Sequence, residues 1–158
     1  MGKIKIMIPA FLMCLCYMLN AFYLRQGHIN GIYQNTEYSD IWERNCKSTV
    51  ILIDDAPLSH HAQKKLWQRN NKEIIEKWDP FTKECDSVLF VNNNVGHVEH
   101  KEDLDTWITE GAICLNGAVG GCISWDDRLF YVEAGDPTWK DEVSIVSNGF
   151  RVHLTFID

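Results

Sequence analysis

Residues 49–80, TVILIDDAPLSHHAQKKLWQRNNKEIIEKWDP, contain the change of pattern on which the fold turns. The segment opens with TVILI, four aliphatic residues after a threonine, which reads as a strand buried in a sheet. Asp54-Asp55-Ala56-Pro57 ends that strand. Leu58 then precedes Ser59, whose hydroxyl suits a helix N-cap. Behind it Trp67, Ile74 and Trp78 recur on one helical face, with Leu66 and Ile75 on its flanks. An amphipathic helix is predicted over residues 60–77, stopped by Asp79-Pro80.

Upstream, residues 28–53 read as short apolar groups separated by polar turns: 31–33, 38–42, and then the strand itself. Downstream the pattern becomes strand-like at 87–91 (SVLFV), turns at Asn92-Asn93-Asn94 and resumes at 95–99, and residues 104–108 suggest a second short helical turn. Residues 112–115 and 122–125 flank a Gly-rich loop, and 128–133 (RLFYVE) forms a further strand. A turn-rich insert at 134–140 precedes 143–146. Ser147-Asn148-Gly149 then joins that run to 150–157, and Asn-Gly between two alternating apolar runs is a strong hairpin signal. The predicted class is α+β, with one principal amphipathic helix packed on a mostly antiparallel sheet.

Ahead of this domain lie nineteen uncharged residues, 6–24 (IMIPAFLMCLCYMLNAFYL), behind Lys3 and Lys5 and before Arg25. As a helix the run would be roughly 29 Å long, about the thickness of a bilayer's hydrocarbon core. Residues 1–25 are therefore expected to be a single-pass membrane anchor. A cleaved signal would need to end at Ala21, yet Phe22, Tyr23 and Leu24 follow at once; a lipoprotein would need small residues before Cys14 or Cys16. The basic residues favour an N-terminus inside. Residues 26–158 would then form one periplasmic domain at a bacterial inner membrane.

Of the 15 basic residues three (Lys3, Lys5 and Arg25) precede Gln26, leaving 12 against 22 acidic side chains and a net of −10 for residues 26–158. Such a balance disfavours nucleic acid as a partner. Solubility alone accounts for it, as does a surface that attracts a basic protein.

Four cysteines fall in the domain, Cys46, Cys85, Cys114 and Cys122, an even number that reads as two disulfides on an oxidising side of a membrane. The Gly-rich stretch LNGAVGG can bring Cys114 and Cys122 together, which leaves Cys46 with Cys85. Zinc is the rival reading, but no C-x2-C knuckle is present.

The remaining constellations have plain structural readings. His60-His61 are adjacent in a first helical turn, about 100° apart, and are expected to be solvated. His97-Val98-Glu99-His100 offers two ligands on one strand face and no third. Asp54-Asp55 and Asp126-Asp127 read as turn formers, because neither continues into a calcium loop. G-x-S-x-G, a phosphate-binding loop and H-E-x-x-H are all missing, so neither covalent chemistry nor a cofactor is expected, and nothing points to a small-molecule ligand. Six tryptophans suit a small core. Trp139, in the loop Asp136-Pro137-Thr138-Trp139 and near Asp141 and Glu142, is the expected anchor for a basic protein partner.

From residue 51 to 80 the chain resembles a family of enterobacterial inner-membrane proteins of unknown function. The resemblance is carried by Pro57-Leu58-Ser59, Trp67, Asn71-Lys72, Trp78 and Pro80, with Ile113-Cys114 and Cys122-Ile123 further on. Ala56 stands where that family has an aromatic residue. The resemblance implies an anchored envelope protein and no activity. The function expected is that of a non-catalytic protein-binding domain, of the immunity or inhibitor type against a toxin. An envelope assembly factor for a membrane complex and a periplasmic hydrolase are the alternatives.

Overall fold

The computed structural model describes residues 2–20, 24–96, 105–135, 142–147 and 149–157. Their elements run in the order α1 (Gly2–Leu19), β1 (His28–Ser39), β2 (Arg44–Asp54), α2 (His60–Trp78), β3 (Ser87–Asn92), β4 (Ala112–Ile113), β5 (Ile123–Ser124), β6 (Arg128–Ala134), β7 (Glu142–Ser147) and β8 (Phe150–Phe156). Six strands form one sheet in the order β1-β2-β3-β6-β8-β7, and β4 pairs with β5 apart from it.

The fold is α+β with a mixed sheet. Because α2 carries the chain from β2 back across the sheet, β2 and β3 run parallel, with Val50 opposite Leu89 and Ile51 opposite Phe90; a helical crossover is what a parallel pair needs. The other neighbours in the sheet are antiparallel. The sheet is therefore mostly antiparallel, as expected, with this one parallel junction. Residues 28–53, expected as short groups, are instead two long strands joined at residues 40–43.

Helix α2 forms as its sequence dictates. Ser59 is extended (φ −97°, ψ 143°) and its hydroxyl accepts from the Ala62 amide at 3.3 Å. At the other end Asp79 turns left-handed (φ 43°) and its N–H reaches the Ile75 carbonyl at 3.1 Å, after which Pro80 cannot continue the helix. Leu66, Trp67 and Ile74 are fully buried against Ile51, Ile53, Val88, Phe90, Phe130, Val132, Val152 and Leu154. Each such aliphatic burial stabilises the fold by about 1.5–3 kcal/mol. Trp78, expected on the same face, is instead 37% exposed at the helix end. Gly27 feeds the chain into β1 at φ +65°, where a Cβ would meet Ile53 Cγ2 at 2.9 Å and Pro57 Cδ at 3.0 Å.

The alternate residues of the same strands, Val50, Leu52, Leu89 and Val91, face the opposite way and pack with Trp107, Ile113, Leu115 and Ile123. That second cover is a coil of short pieces. Residues 105–108 are not helical, contrary to expectation; Ile108 makes a lone bridge to Ile113, and the Trp107 carbonyl accepts from both Cys114 and Leu115 amides. Burial of β2 on both faces explains why TVILI is an unbroken apolar run. A register shift between Phe90 and Val91 breaks the alternation in β6 and lets Leu129 join the same cluster as Phe130. At the C-terminus Ser147 pairs with Phe150, which closes a two-residue hairpin around Gly149 at φ +87°.

The N-terminal segment departs from expectation. The α-helix α1 spans Gly2–Leu19, and 14 of the uncharged residues, Ile6 to Leu19, lie in it. At ~1.5 Å per residue they reach roughly 21 Å, well short of a ~30 Å hydrocarbon core. Among the described residues no helix is long and apolar enough to cross a membrane. The transmembrane anchor and the inner-membrane location are accordingly withdrawn. Two disulfides in a small domain fit a secreted or periplasmic protein.

Candidate protein-docking site

Of the four residues expected to anchor a partner, Glu142 alone lies among the described residues. Asp136, Trp139 and Asp141 lie outside the described residues, as do His97, Glu99 and His100, while Glu142 begins β7 at one edge of the sheet. The cysteines are bonded as Cys46–Cys85 and Cys114–Cys122, with Cα separations of 5.5 and 4.2 Å. His60 does more than face water, since its ring stacks on Phe156 with centroids 4.4 Å apart. Among the described residues no three of His, Cys, Asp and Glu converge as a metal site requires.

The exposed apolar site is the end of the β1–β2 hairpin. After Ser39 pairs with Arg44, residues 40–43 turn the chain, with Glu43 left-handed at φ 48°. Ile41 is 91% exposed, Tyr38 63% and Trp42 46%. Isolated exposed aliphatics are ordinary, but three large apolar side chains within five residues at one tip form a patch. Outside α1 and Leu24, only Leu58 and Trp78 join them among the described large hydrophobics open to solvent.

Acids surround this patch. Glu37, Asp40 and Glu43 are all exposed, and Arg44 is the one cation within residues 37–44. Arg44 is turned back on the hairpin, its Nε donating to the Trp42 carbonyl at 3.1 Å. Aromatic and aliphatic anchors inside a charged rim have the anatomy of a protein-binding hot spot.

The base of the hairpin is held from several sides. The Cys46–Cys85 disulfide ties β2 to the segment before β3. Asp86 is 1% exposed, and its carboxylate accepts from the Lys47 amide at 2.7 Å and from the Thr82 amide, Thr82 hydroxyl and Lys83 amide at 2.8 Å each. Lys83 Nζ reaches back to the Asn45 carbonyl at 2.7 Å. Gln34 Nε2 donates to Thr49 Oγ1 at 3.0 Å and to the Trp78 carbonyl at 2.8 Å. A tip mounted this way loses little conformational entropy when it binds.

A second concavity, about 300 Å³, lies at the opposite end of the same strands and is lined by Asn30, Tyr33, Leu52, Asn93, Val95 and Val119. The acids at the neighbouring strand ends are already engaged. Asn93 and Asn30 donate to Asp54 at 2.8 and 2.7 Å, and these hydrogen bonds, Asn93 first, hold the Asp54 carboxyl below the usual carboxylate range. Asn94 and Asn92 donate to Asp127 in the same manner. These two carboxylates fasten strand ends, which agrees with a turn-forming role.

No protein-family model, no curated protein and no solved structure matches the chain. Its own geometry must carry the functional reading. The hairpin tip was present in the sequence as EYSDIWE, residues 37–43. The signal at Trp139, an aromatic ring flanked by acids in a connection, is equally present at Trp42 between Asp40 and Glu43; residues 38–42 also fit a short apolar group, and that pattern hides the tip.

Proposed function

We propose that this chain is a non-catalytic protein-binding domain, of the immunity or inhibitor type, that captures a basic partner with its β1–β2 hairpin tip. The observation that carries the proposal is the 91% exposure of Ile41 between Tyr38 and Trp42, inside the acidic rim of Glu37, Asp40 and Glu43. Folding gains nothing from leaving these side chains in water, whereas association gains from covering them. The charge of the whole chain, −7, has the sign that accelerates encounter with a cationic protein. An inhibitor needs only a rigid complementary surface, and the disulfide-stapled hairpin supplies one.

The experiment is to express the product of the gene adjacent to this one, measure its affinity for the domain, and repeat with Ile41→Ser/Trp42→Ala. Each anchor is expected to contribute about 2 kcal/mol, so the double variant should bind roughly a thousandfold more weakly. Binding to the parent should slow with added salt. If the neighbour is toxic, co-expression of the parent should protect cells and co-expression of the double variant should not. Undiminished binding by that variant would remove the tip from the interface.

A further inference from the structure

Among the described residues strand β1 is the outermost strand of the six-stranded sheet and pairs only with β2. In an antiparallel pair every second residue turns both its N–H and its C=O away from the partner strand. Two hydrogen bonds reveal which residues of β1 do so. Thr36 lies opposite Lys47, yet its N–H is donated to Asn35 Oδ1 at 2.9 Å, and the Lys47 N–H goes to Asp86 Oδ1 at 2.7 Å. Their pairing is thus the kind in which neither bonds the other. Register is continuous from Gly31 to Ser39, so by alternation Ile32, Gln34 and Tyr38 also direct their main-chain groups to the outside.

Such an edge normally carries guards: lysine, proline, a bulge or extreme shortness. Here the bulge is confined to the Ile29–Gly31 end. From residue 31 to 39 the strand reads GIYQNTEYS, with no proline, no cation and a single acid, Glu37. Beside this edge lies a cleft of about 240 Å³ between β1 and α2, lined by Ile29, Ile32, Asn70, Glu73, Ile74 and Trp78. A row of outward main-chain groups, of which the Thr36 N–H is held by its neighbour's side chain, next to an apolar slot is how sheet edges recognise extended peptides, the ladder giving affinity and the slot choosing alternate side chains.

The geometry points to an occupant of one kind: an extended, cationic segment of the partner protein, added to β1 as a further strand with an apolar side chain in the Ile32–Ile74–Trp78 slot. The net charge of −7 repels a second copy of this chain and attracts a basic segment. The inference rests on the protein-docking reading and extends it from the tip to the adjoining edge.

The probe is the acetylated peptide KVKVKVKV, added to the full chain while amide hydrogen exchange is followed. Exchange at Ile32, Gln34 and Tyr38 is expected to slow by about tenfold or more at saturation. Thr36→Pro spares the β2 ladder, because the Thr36 N–H points outward to the Asn35 side chain and not to β2, and it should weaken the peptide by more than about tenfold, since the added strand can no longer take that donor from Asn35 and meets the proline ring at the edge. A peptide N-methylated at alternate residues should be equally impaired, which tests the ladder without altering the protein. Ile41→Ser/Trp42→Ala should leave protection at Ile32 and Gln34 intact, so failure of the edge and failure of the tip are read separately. Equal binding by the N-methylated peptide, or no protection along β1, overturns the inference. Self-association abolished by Thr36→Pro would also overturn it, since the occupant would then be a second copy.

Discussion

One face of the sheet is closed by a single 19-residue helix, the other by a coil of short pieces between residues 105 and 127. The helix satisfies its own backbone and needs only an apolar stripe to hold its place. The coil has two-residue strands, and residues 115–117 and 120 are all left-handed. Its backbone cannot be satisfied by regular structure, and a disulfide between Cys114 and Cys122 closes it. The two covers bury comparable rows of the same strands, so a fold can seal one face by periodicity and the other by covalent closure.

The largest expected effect tests the helical cover. Trp67 is fully buried and meets Phe81 and Phe90 edge-on, with centroids 6.4 and 6.1 Å away. Trp67→Ala should cost about 4 kcal/mol, seen as a lower denaturant midpoint for the whole domain. A loss confined to α2, with the sheet still protected from hydrogen exchange, would break the picture of one cooperative core.

Removing the staple from the coil should cost less. A bond spanning eight residues restrains the unfolded chain by about 2.5 kcal/mol in the chain-entropy view. Cys114→Ser/Cys122→Ser is therefore expected to speed exchange at the Cys114 and Leu115 amides, which bond to the Trp107 carbonyl, while amides of α2 change only with the global stability. Uniform acceleration across both faces would show that the two covers do not differ in the way described.

Trp107 sharpens the contrast further. It is 6% exposed, and its indole N–H meets no acceptor among the described residues. Leaving such a donor unpaired costs roughly 1–3 kcal/mol, so Trp107→Phe relieves a penalty while giving up apolar contact. Its stability should stay within about 1 kcal/mol of the parent. A loss beyond about 2 kcal/mol would mean the indole nitrogen is satisfied, and the coil better packed than this reading holds.

How legible each part was follows from the same contrast. Helix α2 could be read because 19 residues repeat a 3.6-residue period several times, with Ser59 and Asp79-Pro80 as stops. Strands β2, β3 and β6 could be read as apolar runs because both of their faces are covered. Strand β1 could not, since HINGIYQNTEYS lies at an edge where polar residues are tolerated and the alternation fades. The coil is too short-ranged for any period to appear. At the N-terminus hydropathy gave the length of the apolar run, but composition alone does not specify how much of such a run forms an α-helix, which here is Gly2–Leu19. The docking tip was visible in residue types only; its exposure depends on the two-strand geometry that the sequence concealed.

The smallest effect is expected where both faces meet, at the end of β2. Asp54 gathers Asn93, which follows β3, and Asn30 of β1, so its carboxylate fastens three strand ends together. Those donors hold its pKa below the ordinary carboxylate value. A carboxyl that binds its proton less tightly when folded than when unfolded stabilises the fold above the unfolded pKa, about 3.9, and that contribution disappears as pH falls through the lower folded value. Asp54→Asn removes the titrating group. The parent should therefore lose stability more steeply than the variant below about pH 4, measured as denaturation midpoints in a pH series, while the two run parallel above about pH 5. Because the group is open to water the difference will be slight, yet its sign is fixed. Parallel curves throughout the acid range would show that the asparagine donors hold Asp54 no better folded than unfolded, and that the strand ends meet without its help.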